Sequence, residues 1–144
     1  MTDKPALGRR YFDAHHRNED ITEEECRRLL AAKETGRVAF VSDGRVQIYP
    51  VNYVMHGGSV MFRTSPYGAI GRVIVGQAAS FEVDDFDDFL QAGWSILVTG
   101  QARAADEDTL STRDAQPEPW ADGVRSLLVE VVPEQISGRR VHPG

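Results

Sequence analysis

The apolar positions change their period as the chain proceeds, and the changes mark out its elements. Residues 1–20 show no period and read as a flexible N-terminal arm. A helix start follows. Thr22 has Glu25 three residues later, the spacing of a capping box, and Ile21 ahead of it is placed to touch Cys26 as a hydrophobic staple. Glu23, Glu24 and Glu25 suit the positive end of a helix dipole. Cys26, Leu29 and Leu30 form one apolar stripe, and Gly36 reads as the C′ residue that ends the helix. From there the period becomes two. Val38–Val41 and Val46–Met55 read as strands joined by an Asp43-Gly44 turn, and His56-Gly57-Gly58 turns the chain into Val60–Thr64. Pro50 inside the second strand marks an edge or a bulge, because proline removes a ladder donor. Residues 69–74 read as a short second helix. Residues 78–83, 94–105 and 127–132 complete the strands, and 106–123 reads as loop.

Six strands with regular turns and one capped helix predict a mainly β fold with minor α, an antiparallel six-stranded split β-barrel over residues 21–144. Closure removes exposed sheet edges. At 144 residues the chain is the size of one domain.

Charge and composition narrow the function classes. A net charge of −6 disfavours nucleic-acid binding, which needs a basic surface. No apolar run approaches the roughly 20 residues of a membrane helix, and Met1–Arg10 has no apolar stretch of the signal-peptide kind. The single cysteine, Cys26, excludes an internal disulfide and fits a cytoplasmic location. The four histidines make no zinc set, and Asp84–Asp88 has no glycine between its acids, so it reads as solvated rather than as a calcium loop. No metal is expected.

Four places carry candidate chemistry, each with a plainer alternative. In Pro50-Val51-Asn52-Tyr53 the asparagine offers both a donor and an acceptor to a heterocycle, beside backbone groups freed by proline; the alternative is an edge strand with an outward Asn. In Phe62-Arg63-Thr64-Ser65, with Gly68 following, the guanidinium fork and the hydroxyls suit a phosphate; the alternative is a surface arginine and an ordinary turn. Trp94, beside Ser95, either covers an aromatic ligand or fills the barrel. Arg139 and Arg140 are either solvated or reach a neighbouring subunit's phosphate site.

The order of these blocks resembles the flavin-binding branch of the pyridoxamine 5'-phosphate oxidase-like family. Helix, Gly36-Arg37-Val38-Ala39-Phe40, Pro50-Val51-Asn52-Tyr53, Phe62-Arg63-Thr64, Phe81-Glu82-Val83-Asp84, Gly93-Trp94-Ser95 and Ile136-Ser137-Gly138-Arg139-Arg140 follow one another over residues 21–141. The resemblance implies a homodimer with two cofactor sites between subunits. The cofactor it implies is FMN, or an 8-hydroxy-5-deazaflavin coenzyme as the alternative. Pro50, Val51, Asn52 and Tyr53 would line the isoalloxazine, Arg63 and Thr64 would approach the ribityl phosphate, and Trp94, Ser95 and Arg139 would come from the partner. One stretch departs from the family: Tyr67-Gly68-Ala69-Ile70 has no lysine, and Arg72 is the nearest cation. The implied activity is a flavin-dependent oxidoreductase acting on a small molecule. A non-catalytic flavin carrier or sensor, and a haem-binding relative, are the other readings; neither the substrate nor a catalytic residue is assigned.

Overall fold

A computed structural model describes residues 17–111, 114–120 and 123–143. In chain order the elements are β1 (Arg17–Ile21), α1 (Glu23–Ala31), β2 (Thr35–Ser42), β3 (Arg45–His56), β4 (Ser59–Thr64), β5 (Ala78–Asp87), β6 (Ala92–Ala104), a 3-10 turn (Glu107–Thr109) and β7 (Leu127–His142). Hydrogen bonding runs β7-β4-β3-β2-β5-β6 and returns from β6 to β7, so six antiparallel strands form a closed ring and β1 lies beside the far half of β7. The fold is mainly β with one α-helix, as the turn signals predict. No helix among the described residues is long and apolar enough to cross a membrane.

The ring encloses side chains. Phe62, Phe81, Val38, Val98, Ile96 and Val129 are fully buried in one core, and along β2, β5 and β6 the buried positions alternate with more open ones. Tyr53 joins them, its ring meeting Phe81 edge-on at 4.7 Å. Helix α1 packs on the ring through Cys26 and Leu30, both completely buried. Its start is as predicted: the Glu25 amide donates to Thr22 Oγ1 at 3.2 Å. The Glu25 carboxylate, however, does not return to the cap but pairs with Arg28. The Tyr53 hydroxyl donates to the Leu30 carbonyl at 2.6 Å and so ties the last turn of the helix to β3. Burial pushes the Tyr53 phenol well above the usual tyrosine range.

Both hairpin turns form as expected. Asp43 and Gly44 have φ of 52° and 72°, and Gly57 and Gly58 have φ of 57° and 81°, the positive pair that a tight two-residue hairpin requires.

Four expectations change. Arg17–Asp20, assigned to the arm, pair with Arg139–His142 in β7; the rest of the arm lies outside the described residues. The helix expected at 69–74 is a series of turns, with isolated bonds such as Ile74 N to Ile70 O; glycines at 68, 71 and 76 leave too little helix propensity for more. Gly36 does not end the helix, which stops at Ala31. It lies in β2, where a Cβ would fall 2.3 Å from the Phe81 ring. Finally, the last strand does not end at Val132 but continues to His142. Gly138, read as part of a tail, sits inside it. A Cβ there would lie 2.7 Å from Cys26 Sγ and 3.3 Å from both Ile21 Cβ and Ile96 Cγ1.

Arg37, Glu82 and Asp84 form a partly exposed charge network on the outer wall. Arg37 Nη1 lies 3.2 Å from both Glu82 Oε1 and Asp84 Oδ2. Partial burial, then the neighbouring Asp84, push the Glu82 carboxyl up to about 7, against the opposing pull of Arg37. An acid whose folded value is raised prefers its neutral form in the fold. Its contribution is therefore most favourable below about pH 4.5 and is lost as pH rises through about 7.

Three outcomes follow. Gly138→Ala is expected to cost about 1–3 kcal/mol through overpacking against Cys26, measured by urea denaturation. Tyr53→Phe should cost about 1 kcal/mol by leaving the Leu30 carbonyl with only the long bond from the Lys33 amide, in the same assay. Melting temperatures compared at pH 5 and pH 8 should show a smaller fall for Glu82→Gln than for the wild type; an unchanged difference would show that Glu82 titrates normally.

Candidate cofactor cleft at the fork of two strands

Strands β3 and β4 run together only part of the way. Their pairing covers Tyr53–His56 against Ser59–Phe62 and stops at Tyr53↔Phe62. Beyond that point β3 keeps β2 on one side, through Thr35↔Asn52 and Arg37↔Pro50, and has no strand on the other. The direction of its backbone groups follows from one bond. The Tyr53 amide donates to the Glu34 carbonyl at 2.9 Å, so Tyr53 faces β2. Backbone groups alternate along a strand, so those of Asn52 and Pro50 point away from β2, into the fork. Proline is tolerated there because no neighbour needs its missing N–H. The sequence expectation of an edge at Pro50 therefore holds.

Five of the predicted residues meet in this fork. Pro50, Val51 and Asn52 from β3 and Arg63 and Thr64 from β4 line one small cleft of about 90 Å³. Ile70, Pro119 and Arg125 close it. The Arg63 guanidinium is largely covered. Nη1 reaches the Glu107 carboxylate oxygens at 3.1 and 3.0 Å, and Nη2 reaches Gln116 Oε1 at 3.3 Å. Asn52 is also engaged on both ends of its amide: Nδ2 donates to Thr35 Oγ1 at 2.9 Å, and Oδ1 accepts from the Trp120 backbone at 3.0 Å. A larger hollow of about 330 Å³ shares Asn52 and is roofed by Gln116, Glu118 and Trp120.

The other predicted residues lie elsewhere. Tyr53 and Phe62 are core side chains, 2% and 0% exposed. Ser65 and Gly68 shape the turn after β4: Ser65 Oγ accepts from the Tyr67 amide at 3.2 Å, and its carbonyl accepts from Gly68 at 3.2 Å. Trp94, Ser95 and Arg139 form a second group. Ser95 and Arg139 are register partners across β6 and β7, and Trp94 lies half-buried with Lys33 Nζ 5.9 Å from its ring centroid. Arg139 is mostly exposed, with Asp20 at 3.9 Å. In the ring, β6 stands three strands away from β3, and none of Trp94, Ser95 and Arg139 lines the small cleft.

Sequence reasoning missed the residues that arrive from the 106–126 segment: Glu107, Gln116, Pro119, Trp120 and Arg125. The alternating prolines of Gln116-Pro117-Glu118-Pro119-Trp120 were a signal of a stiff segment rather than of a slack loop. Nothing in their spacing tells which strand they cross. Arg72, the cation nearest in sequence to the Phe-Arg-Thr block, does not line the cleft. His56 lies near the β3–β4 turn, 3.9 Å from Asp114.

Comparison with known proteins bears on the fold and the family. The uncharacterized protein Rv0080 of Mycobacterium tuberculosis is 29% identical over 128 residues, spanning 85% of this chain and 84% of its own. A solved FAD-binding protein from Mycobacterium smegmatis is 28% identical with a TM-score of 0.69, covering 86% of this chain and 98% of that one. An FAD-binding protein from Mesorhizobium loti shares the fold at 16% identity, TM-score 0.65, over 88% and 98% of the two chains. The family profile for pyridoxamine 5'-phosphate oxidase matches residues 22–140. The chain therefore belongs to the pyridoxamine 5'-phosphate oxidase family.

Proposed function

We propose that this protein binds a flavin nucleotide at the β3–β4 fork, as a cytoplasmic homodimer, and serves as a flavin-dependent oxidoreductase for a small molecule. The single observation that carries the reading is the convergence of Pro50, Val51, Asn52, Arg63 and Thr64 on one cleft. Its chemistry fits the phosphate end of a flavin nucleotide. Arg63 supplies a guanidinium fork and Thr64 a hydroxyl, and none of the described residues lining the cleft is a carboxylate, Glu107 reaching Arg63 from beside it. Its volume of about 90 Å³ suits an anionic head group but not a ring system, since pockets for drug-sized ligands begin at about 300 Å³. The ring system must lie against the outer face of β3, because the interior is filled.

A second copy is the natural cover for that face. Val46 and Ile48 on β3 and Val41 on β2 are exposed apolar residues of the outer wall, 68%, 64% and 49% accessible. The same pairing would let Trp94, Ser95 and Arg139 of one subunit face the fork of the other. The M. smegmatis relative, an FAD-binding protein, supports the flavin class. FMN is our choice of nucleotide, with FAD and the deazaflavin as rivals.

When bound, a flavin supplies two-electron redox chemistry. The chain's own residues hold and orient it. Asn52 offers an amide beside the open backbone edge, and Arg63 fixes the anionic end. One observation favours the rival reading of a non-catalytic carrier: none of the described residues lining the cleft is a carboxylate, histidine or tyrosine able to pass a proton. Tyr53 is spent on Leu30.

Static light scattering should report a mass near twice 16.0 kDa at micromolar concentration. FMN titration followed by flavin fluorescence should find Arg63→Ala weakened about tenfold or more, while Arg103→Ala, whose guanidinium serves Glu130 at 2.8 Å, binds as the wild type does. Equal binding by the two variants would remove Arg63 from the site. Stopped-flow reduction by NADPH then separates enzyme from carrier: an inert bound flavin supports the carrier.

A further inference from the structure

Arg125 stands two residues ahead of β7, on the segment returning from Pro119, and lines the same cleft as Arg63 and Thr64. Its Nε is buried without a hydrogen-bond partner, and it is the sole such side-chain nitrogen or oxygen among the described residues. A guanidinium N–H held away from both water and an acceptor is costly, and native folds seldom keep one without a use. Arg63 is different, since Glu107 and Gln116 already occupy it. The cleft thus gathers two cations in a protein of net charge −6, and among the described residues only Arg63 of the two has a carboxylate partner. An acceptor that suits both cations would be anionic and small enough for about 90 Å³. A phosphate monoester has that charge, and oxygens enough to accept from both.

We infer that Arg125 is the second cation of this cleft and, with Arg63, grips the phosphate of the flavin nucleotide. The inference rests on the flavin reading above and adds to it a residue that is remote in sequence from the Phe-Arg-Thr block. Arg125 is a binding residue, placed for this role by its position on the cleft wall beside Arg63 and Thr64.

The test compares FMN with riboflavin, which lacks only the phosphate. Both are titrated by calorimetry into the wild type, Arg125→Ala and Arg125→Lys, with circular dichroism to verify folding. The wild type should bind FMN at least about tenfold more tightly than riboflavin. Arg125→Ala should lose about tenfold for FMN and nothing for riboflavin. Arg125→Lys should fall between, keeping charge without the fork; it also carries the test should the alanine variant not fold. An FMN-to-riboflavin ratio unchanged in both variants would overturn the inference, as would a wild type that binds the two flavins equally. A wild type that binds neither would instead sink the flavin reading itself.

Discussion

Strand β7 hydrogen-bonds to three other strands. Leu127–Val131 pairs with β4, Gly138–His142 pairs with β1, and the opposite edge runs along β6 from Val129 to Val141. Without that reach the sheet would stay open between β4 and β6, and its inner face would be wet. Because the ring closes on only six strands, side chains fill it, and Phe62, Phe81 and Tyr53 take the space a ligand would need. Chemistry is thereby confined to the outer wall. The same closure draws β4 toward β7 and away from β3, which opens the fork at Tyr53↔Phe62. The cleft is thus a consequence of how the ring is closed.

Within the fork, the electrostatics are set by a few side chains. Arg63 is engaged by Glu107, so an arriving anion must exchange with a carboxylate already in place. That exchange lowers the net gain from the new bond but keeps the guanidinium aimed. The segment carrying Gln116 and Trp120 crosses β3 at Asn52 and joins the small cleft to the larger hollow. Trp120 therefore stands near the candidate site. Any fluorescence response to a flavin has two tryptophans to report it.

Much of the architecture was legible in local patterns. The Thr22 cap, the Asp43-Gly44 and Gly57-Gly58 turns and the edge at Pro50 each depend on residues a few positions apart. What was not legible depends on distant partners. Arg17–Ile21 and residues 133–142 lack an apolar period because backbone pairing, more than side-chain burial, holds them in place. Gly138 reads as a tail glycine until Cys26, Ile21 and Ile96 are seen to crowd it. Among the residues that line the cleft, Asn52, Arg63 and Thr64 were singled out by their types and order. Arg125 was not, because nothing in residues 123–126 signals that the chain returns to the fork.

Amide hydrogen exchange with and without FMN tests the central claim most directly. The Asn52 amide points into the fork and has no strand to pair with, so it should exchange quickly in the free protein. The account predicts that saturating FMN slows exchange at Asn52 and in Arg63–Ser65, while core amides such as Phe81 are unaffected. Protection confined to other regions, with Asn52 and Arg63 exchanging as before, would contradict it.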